Sequence, residues 1–166
     1  MYRHCLWHQN RPHGLNYLGI EDPAENRDFI VYVEADRCIA DAVAAVTGCS
    51  LGRRRLKWLD YGKMAASFVD MNTRQGIRIV AAAKEQPGDD VDPVVFFSSI
   101  PDEELFRVEP ITVNLTEHDL PGKPTLKVIC SRCGEAVMDG RDLQVAGESL
   151  CKACGGEAYY QRGESL

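Results

Sequence analysis

Residues Glu34 to Lys63 read EADRCIADAVAAVTGCSLGRRRLKWLDYGK, and the fold of the chain turns on them. Ala40, Val43, Ala44 and Thr47 recur at the 3.6-residue period, so the stretch predicts a helix with Asp36 as its N-cap and Gly48 as its stop. Cys38 then opens the helix and Cys49 follows it. A helix of that length, rising ~1.5 Å per residue, holds the two sulfurs roughly 15 Å apart, too far for one metal ion or one disulfide within a chain. At a helix N-terminus the Cys38 thiolate is favoured, whereas the alternative for both cysteines is a small apolar residue in the core. A strand after the glycine-bearing exit delivers Asp60, Tyr61, Gly62 and Lys63 together.

Working outward, Phe29 to Val33 is a continuous apolar run that predicts a buried strand feeding the helix. Glu34 and Asp36 lie at the strand-to-helix connection, where they serve either as ligands or as solvated and capping carboxylates. Arg53, Arg54, Arg55 and Lys57 form a basic run, read as an anion site or, more simply, as a solvated face. Gly14 to Ile20 has the character of a helix end, with Gly19 near the stop. Residues 1–13, MYRHCLWHQNRPH, hold His4, Cys5, His8 and His13, which are candidate ligands without a packing pattern to order them.

Downstream, Met64 to Val69 and Ile77 to Ala83 predict two strands joined by the polar turn Asp70 to Gly76. Lys84 to Pro93 is an acidic loop, Val94 to Phe97 a short apolar element, and residues 99–104 carry the proline and acids of a helix start. Val108 to Leu115 alternates as an edge strand does, and Pro110 suits an edge. Thr116 to Pro124, TEHDLPGKP, reads as a linker in which His118 faces solvent.

Beyond the linker, Cys130-x-x-Cys133 and Cys151-x-x-Cys154 are separated by 17 residues. This is the spacing of a four-cysteine zinc site, with redox dithiols as the competing reading. Four thiolates satisfy Zn²⁺ tetrahedrally and leave no position for water, so the ion is structural rather than catalytic. Ala136 to Met138 and Leu143 to Val145 flank Asp139 to Asp142 as a predicted hairpin, and the second cysteine pair starts a short terminal helix. A module of roughly 40 residues is too small for a sufficient core and must draw folding energy from its metal.

The whole chain has 166 residues, 45% hydrophobic and 27% charged, with a net charge of −6. That composition suits one globular domain plus a small module. No run approaches the roughly 18 apolar residues of a membrane span, and the start lacks an apolar signal region, so the expected location is cytoplasmic. The acidic balance weighs against nonspecific nucleic-acid binding. So do residues 125–166, where five Lys or Arg stand against six Asp or Glu.

Taken together, Glu34-x-Asp36-x-Cys38, then Thr47-Gly48-Cys49 with Gly52, then Asp60-Tyr61-Gly62-Lys63 resemble the FmdE-like family, named for formylmethanofuran dehydrogenase. The resemblance runs from about Leu18 to about Tyr160. It implies an α+β core domain with an antiparallel or mixed sheet over residues 1–115, a linker over 116–125, and a treble-clef or ribbon zinc finger over 126–166. It also implies a homodimer and a core site drawn from Cys38, Cys49, Asp60, Tyr61 and Lys63, with room for a second metal. Residues 1–13 lack the family's opening His-x-His-x-Cys-Pro motif, and Arg54 or Arg55 stands where the family commonly carries Asn, which leaves that second metal open. The function implied is a zinc-binding accessory protein of a molybdenum or tungsten enzyme system, without catalytic activity of its own. The alternatives are a small metal- or thiol-dependent enzyme or metallochaperone using the core cysteines, and a zinc-finger regulator.

Overall fold

A computed structural model describes residues 11–23, 25–161 and 163 of the chain. The candidate ligands His4, Cys5 and His8, and the side chain of His13, lie outside what is described. The chain forms two compact units, residues 1–115 and 116–166.

The first unit is a five-stranded mixed sheet with helices, in the order β2-β1-β3-β4-β5. Its strands are β1 (Phe29–Val33), β2 (Leu56–Trp58), β3 (Ala65–Asp70), β4 (Gln75–Ala81) and β5 (Phe106–Thr112). Only β1 and β2 are parallel, because α2 (Cys38–Thr47) crosses over between them; the remaining neighbours pair antiparallel. Four further residues separate β3 from β4, and the Asp70 carboxylate organises that turn by accepting from the N–H groups of Asn72 and Thr73 at 2.8 and 2.7 Å.

Side-chain alternation divides the sheet into two faces. Phe29, Val31, Val33, Ala66, Phe68, Ile77 and Ile79 pack under α1 (Arg11–Tyr17) and α2 through Leu15, Ile39, Ala42 and Val43, forming the main core. Ile30 and Val69 point to the other face, where Leu115 covers them. Burial on both sides explains why β1 is apolar at every position rather than at alternate ones. The first helix ends as its glycine predicts: Gly19 has φ +66°, and the Ile20 N–H reaches back to the Leu15 carbonyl at 2.8 Å, the long bond of a Schellman stop.

Helix α2 also stops at its glycine, Gly48 (φ +66°), whose N–H bonds the Ala44 carbonyl at 2.9 Å. Its start differs from expectation. Arg37, not Asp36, occupies the cap position, and no side chain caps the helix there. The short apolar element after the acidic loop is a helix, α3 (Pro93–Ser98), with Asp92 as its cap, and α4 (Asp102–Leu105) follows as a single turn. No helix among the described residues is long and apolar enough to cross a membrane.

The second unit holds two small hairpins, β6 (Lys127–Ile129) with β7 (Ala136–Met138), and β8 (Leu143–Val145) with β9 (Glu148–Leu150), followed by one helical turn at Ala153–Glu157. This corrects the predicted pairing of residues 136–138 with 143–145. Asp139 (φ +57°) and Gly140 (φ +65°) instead turn the chain from one hairpin into the next. The segment read as a linker is also structured: Thr116 and Asp119 form a reciprocal capping box on a short turn at Glu117–Asp119. His118 is half-buried and bonds Thr125 through Nδ1, rather than facing solvent.

Candidate metal centre and core cysteine site

The four finger cysteines converge. Cys130 and Cys133 sit on the knuckle between β6 and β7, where Gly134 (φ +74°) donates to the Cys130 carbonyl at 2.9 Å and lets the chain reverse. Cys151 and Cys154 follow β9 and enter the helical turn, where the Cys154 N–H points at the Cys151 sulfur at 3.4 Å. All four sulfurs lie within 4.8 Å of one another. Cys133 and Cys151 are 3.8 Å apart. A disulfide needs about 2.05 Å, whereas a tetrahedron with Zn–S bonds of ~2.3 Å has edges of roughly 3.8 Å. The donor set therefore fits a zinc ion, and thiolates are the ligands zinc prefers in structural sites.

The proton balance of the cluster points the same way. Backbone N–H groups of Cys151 and Cys133 pull the Cys130 thiol down to about 6. Burial, and then the neighbouring thiols of Cys151, Cys133 and Cys130, push Cys154 up to about 12. Without a cation the four groups cannot all ionise, because like charges crowd; a dication removes that obstacle and holds all four as thiolates. Asp139, buried beside the module, accepts from the Thr125 N–H at 3.0 Å and so ties the entry of β6 to its end.

In the core, the predicted site residues are presented differently. Cys38 is exposed at the first position of α2, while Cys49 is buried beyond its other end. Burial pushes the Cys49 thiol up, against the opposing influence of the Thr47 hydroxyl and Arg55. Thr47 itself donates to the Val43 carbonyl at 2.6 Å and accepts from the Cys49 N–H at 3.1 Å, which knits the helix end to its exit. Asp60, Tyr61 and Lys63 are exposed on the segment after β2, with the Lys63 ammonium 5.7 Å from the centre of the Tyr61 ring. The Lys63 N–H bonds the Glu34 carbonyl at 3.0 Å, which brings this segment to the end of β1, close in sequence to Cys38. Among the described residues, neither core cysteine belongs to a cluster of metal-ligating atoms like that of the finger.

Two functional-looking features of the sequence have structural partners. Glu34 is buried and held by Arg78 of β4, which also reaches Glu109 of β5 at 3.0 Å. Arg55, read as part of a solvated basic run, is buried with its guanidinium 4.4 Å above the Phe29 ring and its Nε 3.3 Å from the Phe29 carbonyl; Arg53 is exposed. Arg78 was not singled out by sequence. Its position in an otherwise apolar strand, GIRIVA, was the available signal.

Comparison with known proteins follows the two units. A family model described as "FmdE, Molybdenum formylmethanofuran dehydrogenase operon" matches residues 12–107. A second, described as "Prokaryotic dksA/traR C4-type zinc finger", matches residues 124–160. A curated protein of Archaeoglobus fulgidus, named "Probable S-adenosyl-L-methionine-binding protein", is 28% identical over 182 residues, covering 90% of this chain and 47% of that protein. The chain thus spans about half the length of this curated relative. A solved structure of an FmdE-like protein of tungsten formylmethanofuran dehydrogenase, from Syntrophus aciditrophicus, is 20% identical with a TM-score of 0.49, covering 93% of this chain and 95% of that one. The first family model takes in more than half of the chain, including the segments that carry Cys38, Cys49 and Asp60 to Lys63: the chain belongs to the FmdE family and carries a C4-type zinc finger behind its core.

Proposed function

We propose that this protein is a zinc-dependent accessory protein of a molybdenum or tungsten enzyme system, acting as a homodimer in a reducing cytoplasm. The family membership of residues 12–107 carries the reading, since that family is described by a molybdenum formylmethanofuran dehydrogenase operon. A closed four-thiolate site supports a structural rather than catalytic metal, and its module lacks the basic stripe of a nucleic-acid reader, which favours protein contact. β5 lies at the sheet edge, and a second copy is the cover proposed for it, although Pro110 removes one N–H from the strand. The test is affinity purification of the tagged protein from its own host grown with molybdate or tungstate. Components of a molybdenum- or tungsten-containing enzyme should co-purify in stoichiometric amounts; their absence under both conditions removes the reading. Light scattering should give twice the chain mass.

A second reading is a small metal- or thiol-dependent enzyme or metallochaperone built on Cys38, Cys49, Asp60, Tyr61 and Lys63. The exposure of Cys38 favours it. The name of the Archaeoglobus fulgidus relative supplies one ligand to try. Calorimetric titration with S-adenosylmethionine separates the readings: saturable binding supports the second, and no heat of binding leaves the accessory role.

A further inference from the structure

β4 ends at Ala81 and β5 begins at Phe106, yet the two strands are antiparallel neighbours that a turn of 2–5 residues could join. Instead residues 82–105 intervene, longer than topology requires and in the range where connections usually carry function. The chemistry of this connection is unusual in two ways.

First, its helix is apolar all round and unburied. α3 reads PVVFFS, and none of its residues is buried. Val95 is 67% exposed and the preceding Val91 43% exposed, while Phe97 and Ile100 anchor the segment on the core. Six residues are too few for a helix to persist by propensity alone, so α3 is held in place by the Asp92 cap and that anchoring, with its remaining apolar side chains turned outward.

Second, the charge is concentrated around it. Residues 84–107 carry seven Asp or Glu against Lys84 and Arg107, a net −5 in a chain whose total is −6. Directly after α3 the chain walls a cleft of about 450 Å³ with Ala82, Ala83 and Ile100 for its apolar lining and Glu85, Glu103 and Glu104 among its polar groups.

We infer that this face docks a basic amphipathic segment of a partner protein, one whose Lys or Arg residues flank two or three aliphatic or aromatic side chains. The apolar groups of α3 and the cleft take the partner's apolar side chains, and the surrounding carboxylates take its cations. Charge complementarity selects this occupant. A second copy presenting the same face would set net −5 against net −5, which opposes an interface built from that face twice. The surface belongs to neither the zinc module nor the core cysteines, so the inference stands apart from the function proposed above.

The test uses the full zinc-loaded chain and a fluorescein-labelled synthetic peptide of twelve residues built from lysine and leucine at helical spacing, with its glutamate-for-lysine counterpart as control. Anisotropy should show saturable micromolar binding of the lysine peptide that weakens as salt is raised, and at least tenfold weaker binding of the glutamate peptide. Val95→Asp, and separately Glu85→Lys with Glu103→Lys, should each weaken binding at least fivefold; all three positions are exposed, and circular dichroism checks that the fold is retained. Unsaturable binding, equal binding of the two peptides, or wild-type affinity in both variants overturns the proposal. So does a dimer that Val95→Asp dissociates and that excludes the lysine peptide, which would assign the face to self-association.

Discussion

The Arg78 guanidinium grips the Glu34 carboxylate through two hydrogen bonds, Nε to Oε1 at 2.6 Å and Nη2 to Oε2 at 2.8 Å, joining the end of β1 to β4 across the intervening β3. Glu34 is 5% exposed and the Arg78 side chain 19%. The pair lies on the face of the sheet opposite the helices, and the Glu34 main chain bonds both Lys63 and Ala65, so the ion pair fixes the edge from which the Asp60 to Lys63 segment is presented.

Removing one member leaves the other charge buried and unmatched. Arg78→Ala should therefore cost about 3 kcal/mol in urea denaturation, whereas Glu34→Gln, which keeps a hydrogen-bonding oxygen, should cost about half as much. A loss below about 0.5 kcal/mol for Arg78→Ala would mean that the pair contributes no more than a surface bridge does.

Glu109 gives this network a pH dependence. Its hydrogen bond from Arg78 holds the carboxyl below the usual range, so the folded state favours the ionised form. A group depressed in this way contributes stability above its unfolded value and loses it as pH falls through the folded one. The urea midpoint should consequently drop on acidification from about pH 5 to pH 3, and less so in Glu109→Gln. Equal slopes for the two proteins would count against the assignment.

The finger should fold with its metal and independently of the core. Elemental analysis is expected to find one zinc per chain, and Cys130→Ser should lose it together with the protection of residues after about Thr125 in hydrogen exchange. Residues of β1, β3 and β4 should stay protected. Concerted loss across both units would show that they are one cooperative body.

The two core cysteines should differ in reactivity. At pH 7 iodoacetamide should label Cys38 at least tenfold faster than Cys49, since one thiol is exposed and the other buried and held protonated. Because burial raises the Cys49 value, its contribution to stability is complete below the unfolded thiol range of about 8.5 and is lost as pH rises through the folded value; labelling of Cys49 should accelerate only in strong alkali. Mass spectrometry of tryptic peptides decides it, and comparable rates at pH 7 would show that the helix exit opens.

Gly76 has a steric role. A Cβ there would fall 2.0 Å from the Phe68 carbonyl oxygen, on the neighbouring strand. Backbone cannot yield as a side chain does, so Gly76→Ala should cost about 2–4 kcal/mol by forcing β3 and β4 apart. Thermal unfolding measures it; a melting temperature within a degree of wild type would contradict the close approach.

What could be read without coordinates was local. The zinc ligands are paired by a two-residue spacing within each knuckle, and Gly19 and Gly48 end their helices because only nearby carbonyls are involved. The apolar run Phe29 to Val33 announced a strand buried on both faces, since each residue's burial is set by its own chemistry. What tertiary structure decided was which distant groups meet. Glu34 and Arg78 are 44 residues apart, and no local pattern names the partner that turns a candidate ligand into half of a buried ion pair. Arg55 likewise left its basic run only because Phe29, 26 residues earlier, offers a ring and a carbonyl beneath it. In the finger, strands 136–138 and 143–145 looked like partners because they are neighbours in sequence. The left-handed turn at Asp139 and Gly140 sends them into separate hairpins, since pairing follows the backbone path and the convergence of four sulfurs rather than proximity along the chain.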